Sequence, residues 1–337
     1  PTRRSSDLCT FHSACVRILR AHAEALGYPR TFSIYDQSDA QRLAGYVVRD
    51  LGLDAKRFPP RATHGQISLW KNELVTPEQA VARASNIFER KHADIYVEYQ
   101  ARLLKAGAMD FDDLLMNTVL LFRQHPEVLA HYQQRFRHVL IDEYQDTNTA
   151  QNEIALQLAA VHEEITIVGD GDQSVYGWRG ADVRNISQFE DAFDDVTTIV
   201  LDQNYRSTQT ILDAANAVIA NNPGRKEKHL WSEKGQGARI VRYHAEDEGD
   251  EATWVARRVQ QLHQERRCIW RDIACFYRTN AQSRVLEEAF MRFGVPYKVV
   301  GGTRFYDRRE VKDAMAYLRA VVNPADEVSV KRVLNVP

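Results

Sequence analysis

The run Val139-Leu140-Ile141-Asp142-Glu143-Tyr144-Gln145-Asp146 opens with three apolar residues, two of them β-branched, and then turns abruptly to charge. A short apolar run that stops this way predicts a buried parallel strand rather than a helix. In open α/β sheets ligands bind at the carboxyl ends of the strands, so Asp142 and Glu143 stand where chemistry is expected. Asp142 can hold the water shell of a magnesium ion, and Glu143 can orient and deprotonate an attacking water. The plainer alternative is an acidic strand-to-helix turn with Asp142 as a helix cap.

Two more stretches repeat the pattern. A strand is predicted over 165–168, followed by the loop Gly169-Asp170-Gly171-Asp172-Gln173-Ser174-Val175-Tyr176-Gly177-Trp178-Arg179-Gly180-Ala181. Another is predicted over 197–201, followed by Asp202-Gln203-Asn204-Tyr205-Arg206-Ser207, with Ser207 as the cap of the next helix. Parallel strands deliver their carboxyl ends to one edge, so the three loops converge. Gln173 can bond an attacking water and a terminal phosphate. Arg206 can neutralise charge on a transferred phosphoryl group, a role that contributes ~10³–10⁵ in rate. Taken singly, Arg206 suits a salt bridge to Asp202 or Asp213, and Gln173 a loop cap. Tyr176 and Trp178 sit two apart among glycines beside Arg179, as in a stacking platform for unpaired bases. The alternative for Trp178 is to hold its loop in the core. His12, in Thr10-Phe11-His12-Ser13, can bond a phosphate backbone or simply start a helix.

The remaining chain supplies scaffold. Residues 31–108 carry helical patterns without a strand signal, with starts at Asp36 or Ser38 and at Thr76-Pro77-Glu78-Gln79. Strand candidates at 239–243, 272–277 and 297–300 alternate with helix patterns at 247–264 and 282–293, which predicts a second parallel α/β unit. A length of 337 residues suggests two domains. Hydrophobic content of 44% and charged content of 27% suit packed cores. Net charge is −2, so binding to nucleic acid requires a local groove rather than a basic surface overall. No apolar run approaches the ~18–20 residues of a membrane span. Cys9, Cys15, Cys268 and Cys275 lack a C-x-x-C spacing, which points to reduced thiols of a cytoplasmic protein.

Thr10-Phe11-His12-Ser13, Asp142-Glu143-Tyr144-Gln145-Asp146-Thr147-Asn148, the Val168–Ala181 string and Asn204-Tyr205-Arg206-Ser207 resemble, in order, the motifs of the UvrD/PcrA/Rep DNA helicases of superfamily 1. Residues 278–284 and 301–306 are similar to that family's second motor domain. The resemblance implies an α/β fold of RecA-like P-loop NTPase parallel sheets with an α-helical insertion. Residues 9–30 and 109–200 would form part of the first motor domain, 31–108 the insertion and 201–337 part of the second motor domain. It also implies an ATPase that uses Mg²⁺, moves three-prime to five-prime on single-stranded DNA and separates duplexes at junctions, in repair or replication. By motif matching, Asp142 would hold magnesium through water, Glu143 would be the base, Gln173 would sense the γ-phosphate and Arg206 would be the arginine finger. Tyr205 would stack on adenine. His12, Tyr176, Trp178, Arg179, Gly302 and Phe305 would engage DNA.

The departures from the pattern carry their own expectation. The family's phosphate loop, G-x-x-x-x-G-K-[ST], is absent from these 337 residues, as are its late motifs. Residues 1–8 match nothing in the family and suggest a foreign leader. An interior fragment, inactive by itself, is therefore expected, with an N-terminally truncated first motor domain and an incomplete second one. Two other readings stand beside it: a piece of a RecB- or AddA-like nuclease–helicase, and a non-catalytic module that binds single strands.

Overall fold

The computed structural model describes residues 8–222, 225, 227–300 and 309–334. The chain divides into two compact units, one of residues 1–200, 221–228 and 312–337, the other of 201–220 and 229–311.

In the first unit, α1 (Phe11–His22) is capped by the Thr10 hydroxyl, which accepts from the Ser13 amide. Strand β1 (Ser33–Tyr35) leads into α2 (Gln37–Asp50), where Asp36 and Asp39 form a reciprocal capping box. Helices α3 (Pro60–Asn72), α4 (Pro77–Arg83) and α5 (Ile87–Lys105) follow. Proline opens α3 and α4, where its missing N–H costs no helix bond. Strand β2 (Ala108–Asp110) then pairs in parallel with β1, Ser33 opposite Ala108 and Tyr35 opposite Asp110. No strand is expected over 31–108 from the residue pattern. Three residues are too few to show a period, and each strand exists only through the other. The pair closes off a helical core of Leu43, Val47, Ile67, Tyr96, Tyr99 and Leu103, all buried.

Asp110 ends β2 and caps α6 (Phe111–Gln124), whose apolar face packs with α1 around Leu19, Leu115 and Phe122. After α7 (Pro126–Arg135) comes β3 (Val139–Ile141), then α8 (Thr149–Ala159) and β4 (Ile165–Ile167). The β3 and β4 strands pair in parallel, Val139 opposite Ile165, and Ile141 packs with Tyr144, Ala155 and Phe189 of α9 (Arg184–Asp191). Residues 197–201 are not in a ladder; Ile199 and Leu201 are each 77% exposed.

The second unit holds α10 (Gln209–Ile219), α11 (Glu248–Gln264) and α12 (Ser283–Arg292). Its core joins Ala256 and Val259 to Ala289 and Phe290. Strands are expected at 239–243, 272–277 and 297–300, but these segments form no ladder among the described residues. β-branched composition proposes a strand, whereas the ladder needs a neighbour to take its backbone groups. Helix α13 (Arg309–Val322) and α14 (Glu327–Val333) complete the described chain. The described residues 312–334 group with the first compact unit. There Lys312 pairs with Asp36 at 3.0 Å and Arg319 with Asp39 at 3.0 Å.

Lys71 of α3 is a wholly enclosed charge, with 0% side-chain exposure and 2.8 Å to both Asp110 and Asp113. Burial alone would lower its pKa; the two carboxylates reverse that and hold it above the usual lysine range. Removing the cation leaves buried carboxylates uncompensated. Lys71→Met is therefore expected to lower unfolding free energy by about 3–5 kcal/mol in urea titration. The Asp36 contact gives a pH signature. Burial favours its neutral form, but bonds from Ser38, the Asp39 amide and Lys312 outweigh this and bring the carboxyl down to about 2. A depressed carboxylate stabilises the fold above its unfolded value and loses that contribution as pH falls from about 4 through 2. Lys312→Gln should move the acid-unfolding midpoint to higher pH, followed by circular dichroism.

Candidate functional site

Strand β3 ends at Ile141, and the next two residues turn the chain sharply. Glu143 has φ 54° and ψ 42°, the left-handed region that side chains other than glycine rarely enter. Its amide donates to Asp142 Oδ1 at 2.9 Å. The turn Tyr144–Asp146 follows, and the Asn148 side chain caps α8. Asp142 is therefore not the helix cap; its carboxylate and that of Glu143 face solvent at the strand end.

The exit of β4 lies alongside. Val168 N donates to the Ile141 carbonyl at 2.8 Å, and Tyr144 N to the Val168 carbonyl at 3.0 Å. The link between the two loops is Gln145, 1% exposed. Its Nε2 donates to Glu143 Oε2 at 2.7 Å, and its Oε1 accepts from the Asp170 amide at 3.0 Å. Gly169 permits this approach: a Cβ there would stand 2.9 Å from Gln145 Oε1. Asp170 in turn accepts from the Asp172 amide at 3.0 Å and from Gln173 Nε2 at 2.8 Å. Two cations cover this second loop. Arg225 forks onto Asp172 with bonds of 3.1 and 2.9 Å, and Lys228 pairs with Asp170. Burial would raise the Asp170 carboxyl, but bonds from Lys228 and Gln173 hold it below the usual carboxylate range.

Beyond Gln173 the loop carries its aromatics outward. Trp178 is 70% exposed and Tyr176 40%, with ring centroids 6.4 Å apart. That exposure excludes Trp178 as a core residue of its loop. The base of the loop is tied down by Asp182 N to the Thr147 carbonyl at 2.9 Å and by Asn185 Nδ2 to the same oxygen at 2.9 Å. The Arg179 side chain lies outside the described residues, as do Gly302 and Phe305. His12 is half-buried on α1, edge-on to Phe111 at 6.0 Å, and its pKa is lowered by burial.

Tyr205 and Arg206 belong to the second unit. Asn204 Oδ1 accepts from the amides of Arg206 and Ser207, a tight turn that leads to α10 with Thr208, rather than Ser207, at the cap position. Tyr205 is 74% exposed and bonds Gln203 through its hydroxyl at 2.8 Å. Arg206 is exposed, and its guanidinium forms no ion pair with Asp202 or Asp213 among the described residues.

The first two strand ends therefore meet as the sequence reading places them. Two carboxylates facing water, one of them gripped by a buried amide, can bind a hydrated dication and accept a proton from water. Sequence reasoning missed Gln145 as the bridge, although it lies inside the acidic string. It also missed Arg225 and Lys228, whose partners are too distant in sequence to leave a local pattern.

Two family models match the chain: the UvrD/REP helicase N-terminal domain over residues 3–194 and the UvrD-like helicase C-terminal domain over 199–337. Among curated proteins, the ATP-dependent DNA helicase UvrD1 of Mycobacterium tuberculosis is 51% identical over 339 residues, covering 97% of this chain and 44% of its own. The ATP-dependent DNA helicase PcrA of Bacillus subtilis is 48% identical over 330 residues, covering 98% of this chain and 45% of its own. The chain thus spans under half the length of these relatives. Among the described residues no helix is long and apolar enough to cross a membrane.

The Gln145 bridge has a measurable weight. Gln145→Ala leaves the part-buried Asp170 amide without its acceptor and removes the donor to Glu143. A loss of about 1–3 kcal/mol in urea unfolding is expected.

Proposed function

Since the chain belongs to the UvrD/PcrA-type superfamily 1 helicases, we propose that it carries motor elements of an ATP-dependent DNA helicase that moves three-prime to five-prime along single strands, in repair or replication. The observation that carries this reading is the Gln145 carboxamide, which joins Glu143 to the Asp170 loop at the carboxyl edge of β3 and β4. In a phosphoryl-transfer motor the water-activating residue and the phosphate-sensing loop must respond to each other, and one buried amide spanning both fits that requirement.

In this proposal the residues present would accept magnesium and ATP as follows. Asp142 holds the ion through water, and Glu143 takes the proton of the attacking water. Gln173, restrained by Asp170 in this structure, turns toward the γ-phosphate. Arg206 is read as the arginine finger, and its side chain is exposed. Tyr205 offers an exposed ring to adenine. Trp178 and Tyr176 stack on bases, with Arg179, His12, Gly302 and Phe305 as further DNA contacts. Residues 9–30 with 109–200 are read as part of one RecA-like motor domain, 31–108 as its insertion and 201–337 as part of the other.

The 337 residues hold no glycine-rich loop with a phosphate-binding lysine. We therefore expect no ATP turnover from this chain alone, with or without single-stranded DNA, in a phosphate-release assay. Magnesium-dependent turnover that Glu143→Gln abolishes would overturn that part of the proposal. The exposed aromatic pair also supports a second reading, in which the chain binds single strands without nucleotide. Fluorescence anisotropy with a labelled oligonucleotide should show salt-sensitive binding. Trp178→Ala should weaken it by ~5–150-fold, the equivalent of one lost stack of ~1–3 kcal/mol. Unchanged affinity in that variant removes Trp178 from the DNA surface.

A further inference from the structure

We propose that His64, Asp110 and Asp112 form a binding site for a zinc-type transition-metal dication, separate from the Asp142 site. The three side chains come from α3, the end of β2 and the first turn of α6, and their ligand atoms all lie within 4.8 Å of one another. His64 is the independent sign that a ligand belongs there. It is only 8% exposed, yet its Nε2 has no hydrogen-bond partner. A buried ring nitrogen left this way costs free energy unless something takes it up. Burial lowers the His64 pKa, so the imidazole is neutral at pH 7 and retains a lone pair.

Charge counting leads to the same site. Asp110, Asp112 and Asp113 stand together with Lys71 as the cation among them. With all three ionised, three carboxylates face one ammonium; burial and the Asp110 charge push Asp112 up to about 6 and Asp113 up to about 7, so the cluster resists that surplus, and a dication in place of the protons would relieve it. The existing bonds leave room for metal. Asp110 Oδ1 accepts from the Asp113 amide, and Oδ2 from Lys71 and the Tyr99 hydroxyl. Asp112 Oδ1 accepts from Asn72 at 3.1 Å, and the Ser68 hydroxyl also bonds its carboxylate. A carboxylate has about four lone-pair sites, so both groups keep acceptor capacity. Tetrahedral bonds of ~2.1 Å put donors about 3.4 Å apart, so modest side-chain rotation closes the set.

One imidazole and two carboxylates suit zinc over magnesium, which takes oxygen ligands and keeps its waters. Three protein ligands leave a fourth position for water. The bound ion would clip α3 to β2 and α6 and so add a second tie beside Lys71.

The test uses the whole chain stripped of metal with chelator. Cobalt(II) titration should give visible absorption bands at one equivalent, displaced by Zn²⁺, with a rise in melting temperature. His64→Ala and Asp112→Asn should each weaken binding more than ~100-fold, while Asp142→Ala leaves it intact. His64→Ala removes no hydrogen bond of Nε2, so its metal-free melt should show a folded protein and its failure to bind can be read directly. No cobalt or zinc binding by the wild-type chain overturns the proposal. So does unchanged affinity in His64→Ala, or loss in Asp142→Ala alone, which would place the ion at the strand-end carboxylates.

Discussion

Lys71 is the constraint on which the first unit depends. Its ammonium is wholly enclosed, and Asp110 and Asp113 meet it from the strand end and the helix start of a single turn. The same Asp110 accepts from the Tyr99 hydroxyl, and Asp113 from Gln100, so α5 is drawn into the arrangement. A buried ion pair is costly to desolvate, and its worth lies in geometry more than in net stability. Only one placement of α3 against β2 and α6 satisfies every member. The next residue transmits this placement: Asn72 bonds Asp112, and Asn148 at the cap of α8 bonds Asn72. The helix that follows the acidic string is therefore positioned from the ion cluster.

Strain and satisfaction are balanced at the strand end. Glu143 is held in a backbone region that costs a residue with a Cβ about 1–3 kcal/mol, and such positions persist where surrounding bonds over-determine them. Here those bonds are the Asp142 oxygen on its amide, the Gln145 amide on its side chain, and the Val168 carbonyl on Tyr144 N. The carboxylate thus keeps a fixed direction while remaining open to water.

Much of the site was legible in the sequence because its signals are local. An apolar run followed by Asp-Glu marks a strand end, and glycines with paired aromatics mark a loop that projects. Caps at Asp36 and Thr76 were also written within four residues. The unread parts depend on partners far along the chain. Lys71 looks like an ordinary surface lysine until Asp110 and Asp113 are folded against it, and Lys228 gives no hint of Asp170. The β1 and β2 strands are too short to carry a period. The β-branched runs at 197–201 and 239–243 carry the composition of strands but find no ladder among the described residues.

The β1–β2 pair has a kinetic consequence. Its two strands are separated by the entire run of helices from α2 to α5, yet they must lie side by side in parallel. Helices draw on near neighbours and can form early. The pair has to wait until the intervening chain is compact enough to close a long loop. The Lys71 contacts wait with it, since Asp110 is the last residue of β2. Pairing of the two strands closes the base of the helical segment around its charged cluster. Refolding should accordingly be limited by closure of that base rather than by helix formation.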